Sequence, residues 1–310
     1  MIINNINNNI PNNKINYKQN PLVKIQDYKQ DVVSFSGKKD KDTRPLLERF
    51  MYAIGLCYTT SPLHNAQNAE ETKKILEPIK RDKELRDVLL YDDEHCSLPI
   101  HLAKEAEQTK ALLDASPNEK ILVKQLLAEN NERELPLHLA KDVEQTKVLL
   151  EASPNEDVLT KQLLYKGIEK YIPLHYAKSP EQINALLDAS PDIDIKVMQL
   201  TAKACDGSLP IHMVKTSKEK EALLNASPND RIKYNQLVAL DEEGNPPVDG
   251  FDDACVRTAY ELATTSEQLT EFEKDDLLAT YVNYVKDDYF LEQYMKAYNK
   301  SIKEYLEAKD

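Results

Sequence analysis

The sequence predicts an all-α solenoid, a stack of five to six copies of one short helical unit closed at either end by a capping helix. Three observations predict it. Five of the six histidines, His64, His101, His138, His175 and His212, stand 37 residues apart. Proline lies two positions before each (Pro62, Pro99, Pro136, Pro173, Pro210), an aliphatic residue one position before, and Ala66, Ala103, Ala140, Ala177 or Val214 two positions after. Paired aliphatics follow at eleven and twelve positions: Ile75-Leu76, Leu112-Leu113, Leu149-Leu150, Leu186-Leu187 and Leu223-Leu224. Leu89, Leu126, Leu163, Leu200 and Leu237 keep the same interval. A fixed period in this range marks a stacked architecture, in which no unit can bury its apolar face until a neighbour covers it.

A chain of 310 residues has room for two or three globular domains or for one stack, and the period selects the stack. Cys57, Cys96, Cys205 and Cys255 contain no C-x-x-C pair, which argues against a disulfide framework or zinc module and fits a reducing compartment. No stretch is long and apolar enough to span a bilayer, and no basic segment followed by an apolar one opens the chain. The expectation is a cytoplasmic protein with no membrane segment. The net charge of −13 falls unevenly: residues 1–50 carry +4, residues 51–240 carry −6 and residues 241–310 carry −11. Phosphate neutralisation supplies most non-specific nucleic-acid affinity, so this acidic balance argues against a DNA or RNA partner.

Taken in order, residues 1–40 open on MIINNINNNIPNNKINYKQN, too rich in asparagine and too poor in apolar side chains to offset the entropy of ordering, and read as a disordered arm. Residues 41–60 predict the N-terminal capping helix. Thr43 can cap it, Pro45 suits its first turn, and Leu46, Leu47, Phe50, Met51, Ile54, Leu56 and Cys57 supply its apolar run. The array is expected over 61–274. In each repeat a first helix of about six residues begins at the proline, whose fixed φ and missing N–H suit a first turn. Asp142-x-x-Gln145 and Ser179-Pro180-Glu181-Gln182 then read as caps of a second helix that carries the paired aliphatics inward. After Ala-Ser-Pro, Ser116-Pro117-Asn118-Glu119 and Ser153-Pro154-Asn155-Glu156 read as capping boxes of a third helix. The copies starting at Ser190 and Ser227 alternate more, through Ile193, Ile195 and Val197, and leave a strand open there.

Each repeat closes in a turn, spelled out as Asp206-Gly207-Ser208 and Asp241-Glu242-Glu243-Gly244-Asn245, where glycine supplies positive φ and aspartate bonds its own backbone. A degenerate sixth copy follows an insertion of about 12 residues, with Thr258-Ala259-Tyr260-Glu261-Leu262-Ala263 in the place of the histidine signature. Beyond it Leu278, Val282, Val285, Tyr289, Met295, Tyr298, Ile302 and Tyr305 predict one long amphipathic C-terminal capping helix within 275–310.

The recurring Leu-Pro-Leu-His-Leu-Ala segment, the turn before it and the second helix ending in paired leucines resemble the ankyrin repeat, whose pattern runs D-x-x-G-x-T-P-L-H-L-A-A. The likeness covers residues 61–274. Three departures stand out. The period is 37 rather than 33, Ser61, Leu98, Leu135, Ile172 and Leu209 replace the threonine, and the Gly-His between helices is missing. The resemblance implies a concave groove and projecting finger tips that bind protein, and similarity to ankyrin proteins of host-associated microbes implies delivery into a host cell as the alternative location.

Equal spacing also shapes the chemical reading. One histidine per repeat places neighbours roughly 8–10 Å apart, the spacing of packed helices, whereas zinc draws its ligands to about 2 Å from one point. The rings are therefore expected to bond backbone beside the turns, and no metal, cofactor or catalytic residue is expected. His95 and Cys96 are adjacent, with no orienting acid or amide from any motif, so a thiol nucleophile is not supported. No phosphate loop, dinucleotide fingerprint, nucleophile elbow or H-E-x-x-H is present.

What remains is surface. Lys104, Lys141, Lys178 and Lys215 stand three residues after the histidine in all four central copies and read as a cationic ladder for an acidic segment of a partner. The competing reading is that they answer Glu105, Asp142 or a helix dipole. Turn residues vary on the fixed frame, and Arg133, Glu134, Lys170, Tyr171, Ser208 and Asn245 are the expected finger-tip contacts. The expectation is a monomeric, non-catalytic protein-interaction scaffold. The alternative is an enzyme or enzyme regulator acting through 241–310, where Asp252, Asp253, Asp275 and Asp276 form an acidic group without the spacing of a Ca²⁺ loop.

Overall fold

The structure, a computed structural model, describes residues 61–248 and 253–307, with side chains at all of these except 288–289 and 301–307. The expected arm over 1–40 and capping helix over 41–60 lie outside the described residues. All described residues belong to one unit, Arg44–Asp310, and every regular element among them is helical.

Each repeat carries three helical pieces. The first is a four-residue turn of α or 3-10 helix around the histidine: Pro62–Asn65, Pro99–Leu102, Pro136–Leu139, Pro173–Tyr176 and Pro210–Met213. Helices α1 (Ala69–Leu76) and α2 (Asp82–Leu89) complete repeat one, α3 (Ala106–Asp114) and α4 (Glu119–Leu126) repeat two, and α5 (Val143–Glu151) and α6 (Glu156–Leu164) repeat three. Repeat four holds α7 (Pro180–Asp188) and α8 (Ile193–Leu200), repeat five α9 (Ser217–Asn225) and α10 (Asp230–Leu237), and the degenerate sixth α11 (Ala254–Thr265) and α12 (Glu271–Tyr281). After a 3-10 turn at Val282–Tyr284 comes α13 (Asp288–Glu307).

The first helical piece is thus shorter than expected. The alanine two positions past the histidine already has extended backbone, at φ −57°, ψ 136° for Ala103 and φ −61°, ψ 136° for Ala177, so helix cannot propagate through it. The second helix starts where expected, with Asp142 accepting from Gln145 N at 2.8 Å and Ser179 from Gln182 N at 3.1 Å. The third helix is present in every copy, so the strand left open after Ser190 and Ser227 is not formed. Its cap, however, is not the serine. Asn118, Asn155, Asp192 and Asn229 are the N-caps, each accepting from the backbone N–H three residues on. The serine two residues earlier is engaged elsewhere, because Ser116, Ser153, Ser190 and Ser227 accept from the buried amides of Gln125, Gln162, Gln199 and Gln236 at 2.5–2.8 Å. A buried glutamine needs a partner, and a cap slot can be filled by either residue, so the nearer asparagine takes the helix and the serine the amide.

Stacking joins like to like. The histidine turns touch their successors, and α1, α3, α5, α7, α9 and α11 pack each on the next. The repeat-locked leucines are the centre of this core: Leu89, Leu126, Leu163, Leu200 and Leu237 are fully enclosed, and one apolar cluster runs from Leu63 to Tyr294. The C-terminal stretch read as a single helix is instead two, because Val285 is extended (φ −90°, ψ 121°) between the 3-10 turn and α13. The break lets α13 fold back on α12 and α11. Tyr281 donates to Leu237 O at 2.8 Å and Tyr294 to Leu277 O at 3.3 Å, both enclosed, so the late tyrosines are core with their hydroxyls on backbone.

Candidate functional site

The five repeat-locked imidazoles do the same thing in each copy. Nδ1 accepts from the backbone N–H three residues before it, at 2.9–3.1 Å from Ser61, Leu98, Leu135, Ile172 and Leu209. The proton is therefore on Nε2, which reaches a carbonyl next to the following turn: Ser97 O at 2.8 Å, Ala128 O at 3.0 Å, Tyr165 O at 3.1 Å, Ser208 O at 3.4 Å and Ala239 O at 3.1 Å. Both nitrogens are spent on backbone, and each ring ties one repeat's turn to the next. Burial pushes the protonation of His101, His138 and His212 down, and that of His175 down to about 4.

The turns bracketed by these rings form a row of fingers. In each, residue one accepts from residue four and donates to the carbonyl of residue five, as in Asn130–Glu134 and Asp241–Asn245. Residue four has positive φ throughout: Cys96 54°, Arg133 56°, Lys170 60°, Gly207 79° and Gly244 81°. Glycine fills that place where the sequence signalled it, and three larger residues are held there without it. The Asp93, Asn130 and Asp241 side chains accept from two backbone amides within their own fingers. Fingers are joined by Asn131 N to His95 O, Ile168 N to Glu132 O and Cys205 N to Glu169 O, at 2.9–3.1 Å.

A second tie was not anticipated. Gln108, Gln145 and Gln182 accept from the backbone N–H of Lys104, Lys141 and Lys178, and their amide nitrogens donate into the preceding repeat. The acceptors there are Ala66, Ala103 and Ala140 O, at 3.0–3.2 Å, and the hydroxyls of Thr72, Thr109 and Thr146. The 37-residue recurrence of these glutamines was visible, but their reach into a neighbour depends on stacking register. In repeat five Glu219 takes the position and accepts from Lys215 and Thr216 N, and Lys220 beside it pairs with Asp253 across the next junction at 3.0 Å.

The ladder lysines follow directly from this frame. Lys104, Lys141, Lys178 and Lys215 are all exposed and lie outside the helices, one residue past the C-cap of each histidine turn. Lys104 bonds Gln67. Among the described residues Lys141, Lys178 and Lys215 make no side-chain hydrogen bond or ion pair. The carboxylates beside the ladder face backbone instead: Glu105 accepts from Ala69 N at 2.9 Å and Asp142 caps α5.

The finger residues separate. Arg133, Lys170 and Asn245 are exposed at their tips, Arg133 near Glu129 (3.4 Å) and the Tyr165 hydroxyl (3.5 Å). Glu134 and Tyr171 are half-buried, Tyr171 donating to Asp206 at 3.2 Å. Ser208 is buried, its carbonyl receiving the His175 ring at 3.4 Å and its N–H donating to Asp206 at 3.0 Å. In the acidic group, Asp253 caps α11 and pairs with Lys220, and Asp276 accepts from the Tyr234 hydroxyl. Sequence reasoning passed over the residue just after each central histidine. Leu102, Leu139, Tyr176 and Met213 are large, apolar and at least partly exposed, a signal readable from the same alignment of copies.

Among the described residues the helices define a helical repeat protein whose recurring histidines and glutamines join one unit to the next. No protein-family model matches the chain, and no curated protein sequence matches it. Solved structures with a similar fold include the ankyrin repeat domain of Bcl-3, a member of the IkappaB protein family, at 17% identity and a TM-score of 0.41, covering 65% of this chain and 85% of that one. The chain resembles ankyrin-repeat proteins in its motif and in its succession of short helices.

Proposed function

We propose that this protein is a non-catalytic scaffold that binds another protein through the surface formed by its histidine turns and finger tips, with Lys104, Lys141, Lys178 and Lys215 steering an acidic segment of the partner. One observation carries the reading. Exposed cations recur at one position of four stacked units, and among the described residues three of them make no side-chain hydrogen bond or ion pair. A lysine on a solvated face commonly finds a nearby carboxylate, whereas here the neighbouring carboxylates are engaged with backbone amides. Like charges repeated along a surface focus a field, which speeds and selects an oppositely charged partner. The finger residues Arg133, Lys170, Tyr171 and Asn245 supply variable contacts on a rigid frame, the arrangement in which a few anchors set affinity.

The test is capture of partners by the full chain, compared with Lys141→Glu combined with Lys178→Glu. Both positions are exposed, so the variant is expected to keep the circular dichroism spectrum of the parent chain. The charge-reversed chain is expected to lose its principal partners; retention of the same set would remove the ladder from the function.

A further inference from the structure

The residue that follows each central histidine and the lysine two further on belong to one feature. Between them lies an alanine or valine, buried and extended: Ala103, Ala140, Ala177 and Val214. The residues on either side of it are more open in every copy: Leu102 and Met213, which end their helical turns, are exposed, Leu139 and Tyr176 are half-buried, and all four lysines are exposed. Leu102 with Lys104, Leu139 with Lys141, Tyr176 with Lys178 and Met213 with Lys215 are therefore four equivalent rungs, each an apolar group beside a cation. Leu102 and Met213 are each 37% exposed, and the Tyr176 ring is held by His138 and Tyr171, at 5.8 and 5.7 Å between centroids. The turns that carry the rungs touch in sequence, so the rungs form a row. The row has an end: in repeat one the same places are Asn65 and Gln67, and Gln67 bonds Lys104.

Spacing limits what fits. Stacked helical elements repeat at about 8–10 Å. A polyproline II segment rises about 3.1 Å per residue with three residues per turn, so every third side chain faces the same way at about 9.3 Å. An α-helix, at about 5.4 Å per turn, does not keep this step. Resting on the scaffold reading above, we infer that the row is a docking track for an extended acidic segment of a partner protein. Such a segment carries one apolar side chain and one carboxylate in every three residues, the apolar group seated on Leu102, Leu139, Tyr176 or Met213 and the carboxylate on the lysine of the same rung.

The probe is a labelled peptide of Leu-Pro-Glu repeated four times, titrated with the full chain by fluorescence anisotropy. It is compared with a scrambled peptide of identical composition and with Leu-Pro-Lys repeated four times. The track predicts that the first peptide binds at least tenfold more tightly than either control. Binding weakens several-fold between 50 and 300 mM salt, as screening requires. It falls at least tenfold in Lys141→Glu with Lys178→Glu, and again in Leu102→Ser with Met213→Ser, all exposed positions. Equal binding of the scrambled peptide, survival of binding in either variant, or no binding by the wild-type chain each overturns the track. The scaffold reading falls separately. If the peptide does not bind but protein capture by the full chain is lost on Arg133→Ala with Lys170→Ala, the scaffold stands on its fingers without the track. If the chain captures no protein either, both readings fail.

Discussion

His175 has both ring nitrogens engaged by backbone and takes up a proton only near pH 4, whereas an imidazole in the unfolded chain does so near 6.5. Between those values the unfolded state binds more protons, so stability rises with pH. The histidine contribution is fully present above about pH 6.5 and is lost as pH falls toward 4. His175 alone accounts for on the order of 3 kcal/mol once pH lies below that range, and His101, His138 and His212 act in the same direction. Urea unfolding followed by circular dichroism should give a midpoint that falls between pH 6.5 and 4; a flat midpoint over that interval would remove the histidines from the stability account. A second residue-scale prediction concerns the finger positions with positive φ. Arg133→Gly and Lys170→Gly should each raise stability by about 1 kcal/mol, since a non-glycine residue there costs roughly that much. Gly207→Ala should lower stability by at least as much, because its φ is 79° and an added Cβ would stand 3.4 Å from Leu240 O. The structural role of the histidines was legible from spacing alone. The left-handed residues were legible only where glycine marked them, since stacking forces Cys96, Arg133 and Lys170 into a conformation that their own chemistry does not advertise.

At the scale of the element, the repeats are joined by the histidines and a column of leucines and, at three junctions each, by a finger hydrogen bond and a glutamine. Leu163→Ala removes a fully enclosed side chain from that column and should cost about 2–5 kcal/mol by calorimetry. Gln145→Met keeps the volume but takes partners from Lys141 N, Ala103 O and Thr109, and should cost on the order of 2–3 kcal/mol. A loss below about 0.5 kcal/mol would mean that the glutamine fills space without joining repeats. The apolar period told where the second helices lie in all five ordered copies, but it left a strand open after Ser190 and Ser227, where α8 and α10 form. It did not tell which of two polar residues caps the third helix, because Ser116 and Asn118 are both good caps and the choice is made by Gln125, a residue distant in sequence that needs the serine. Nor did it give the length of the first piece, which starts at the expected proline and is ended after four residues by an extended alanine or valine.

For the molecule as a whole, the late tyrosines show how the array is closed. Tyr260, Phe290 and Tyr294 meet at 5.3–5.9 Å between ring centroids, and Tyr281 reaches back to repeat five. Deleting residues 286–310 should therefore lower the melting temperature and expose apolar surface to dye. An unchanged melt would assign α13 a role other than closure. The stack and its core were readable because burial repeats with the sequence, while the break at Val285 was not, since the 3- and 4-residue steps of the apolar residues run across it almost undisturbed. On the surface the lysines were found because identical residues recur, and the apolar neighbours beside them were missed because four different side chains occupy one place. The claim on which all of this depends is that the repeated imidazoles are ties between units. Long-range nitrogen–proton NMR of the histidine rings tests it directly. His64, His101, His138, His175 and His212 are expected to carry their proton on Nε2 at neutral pH, and His175 to protonate near pH 4. Rings protonated on Nδ1, or a His175 that titrates near 6.5, would contradict it.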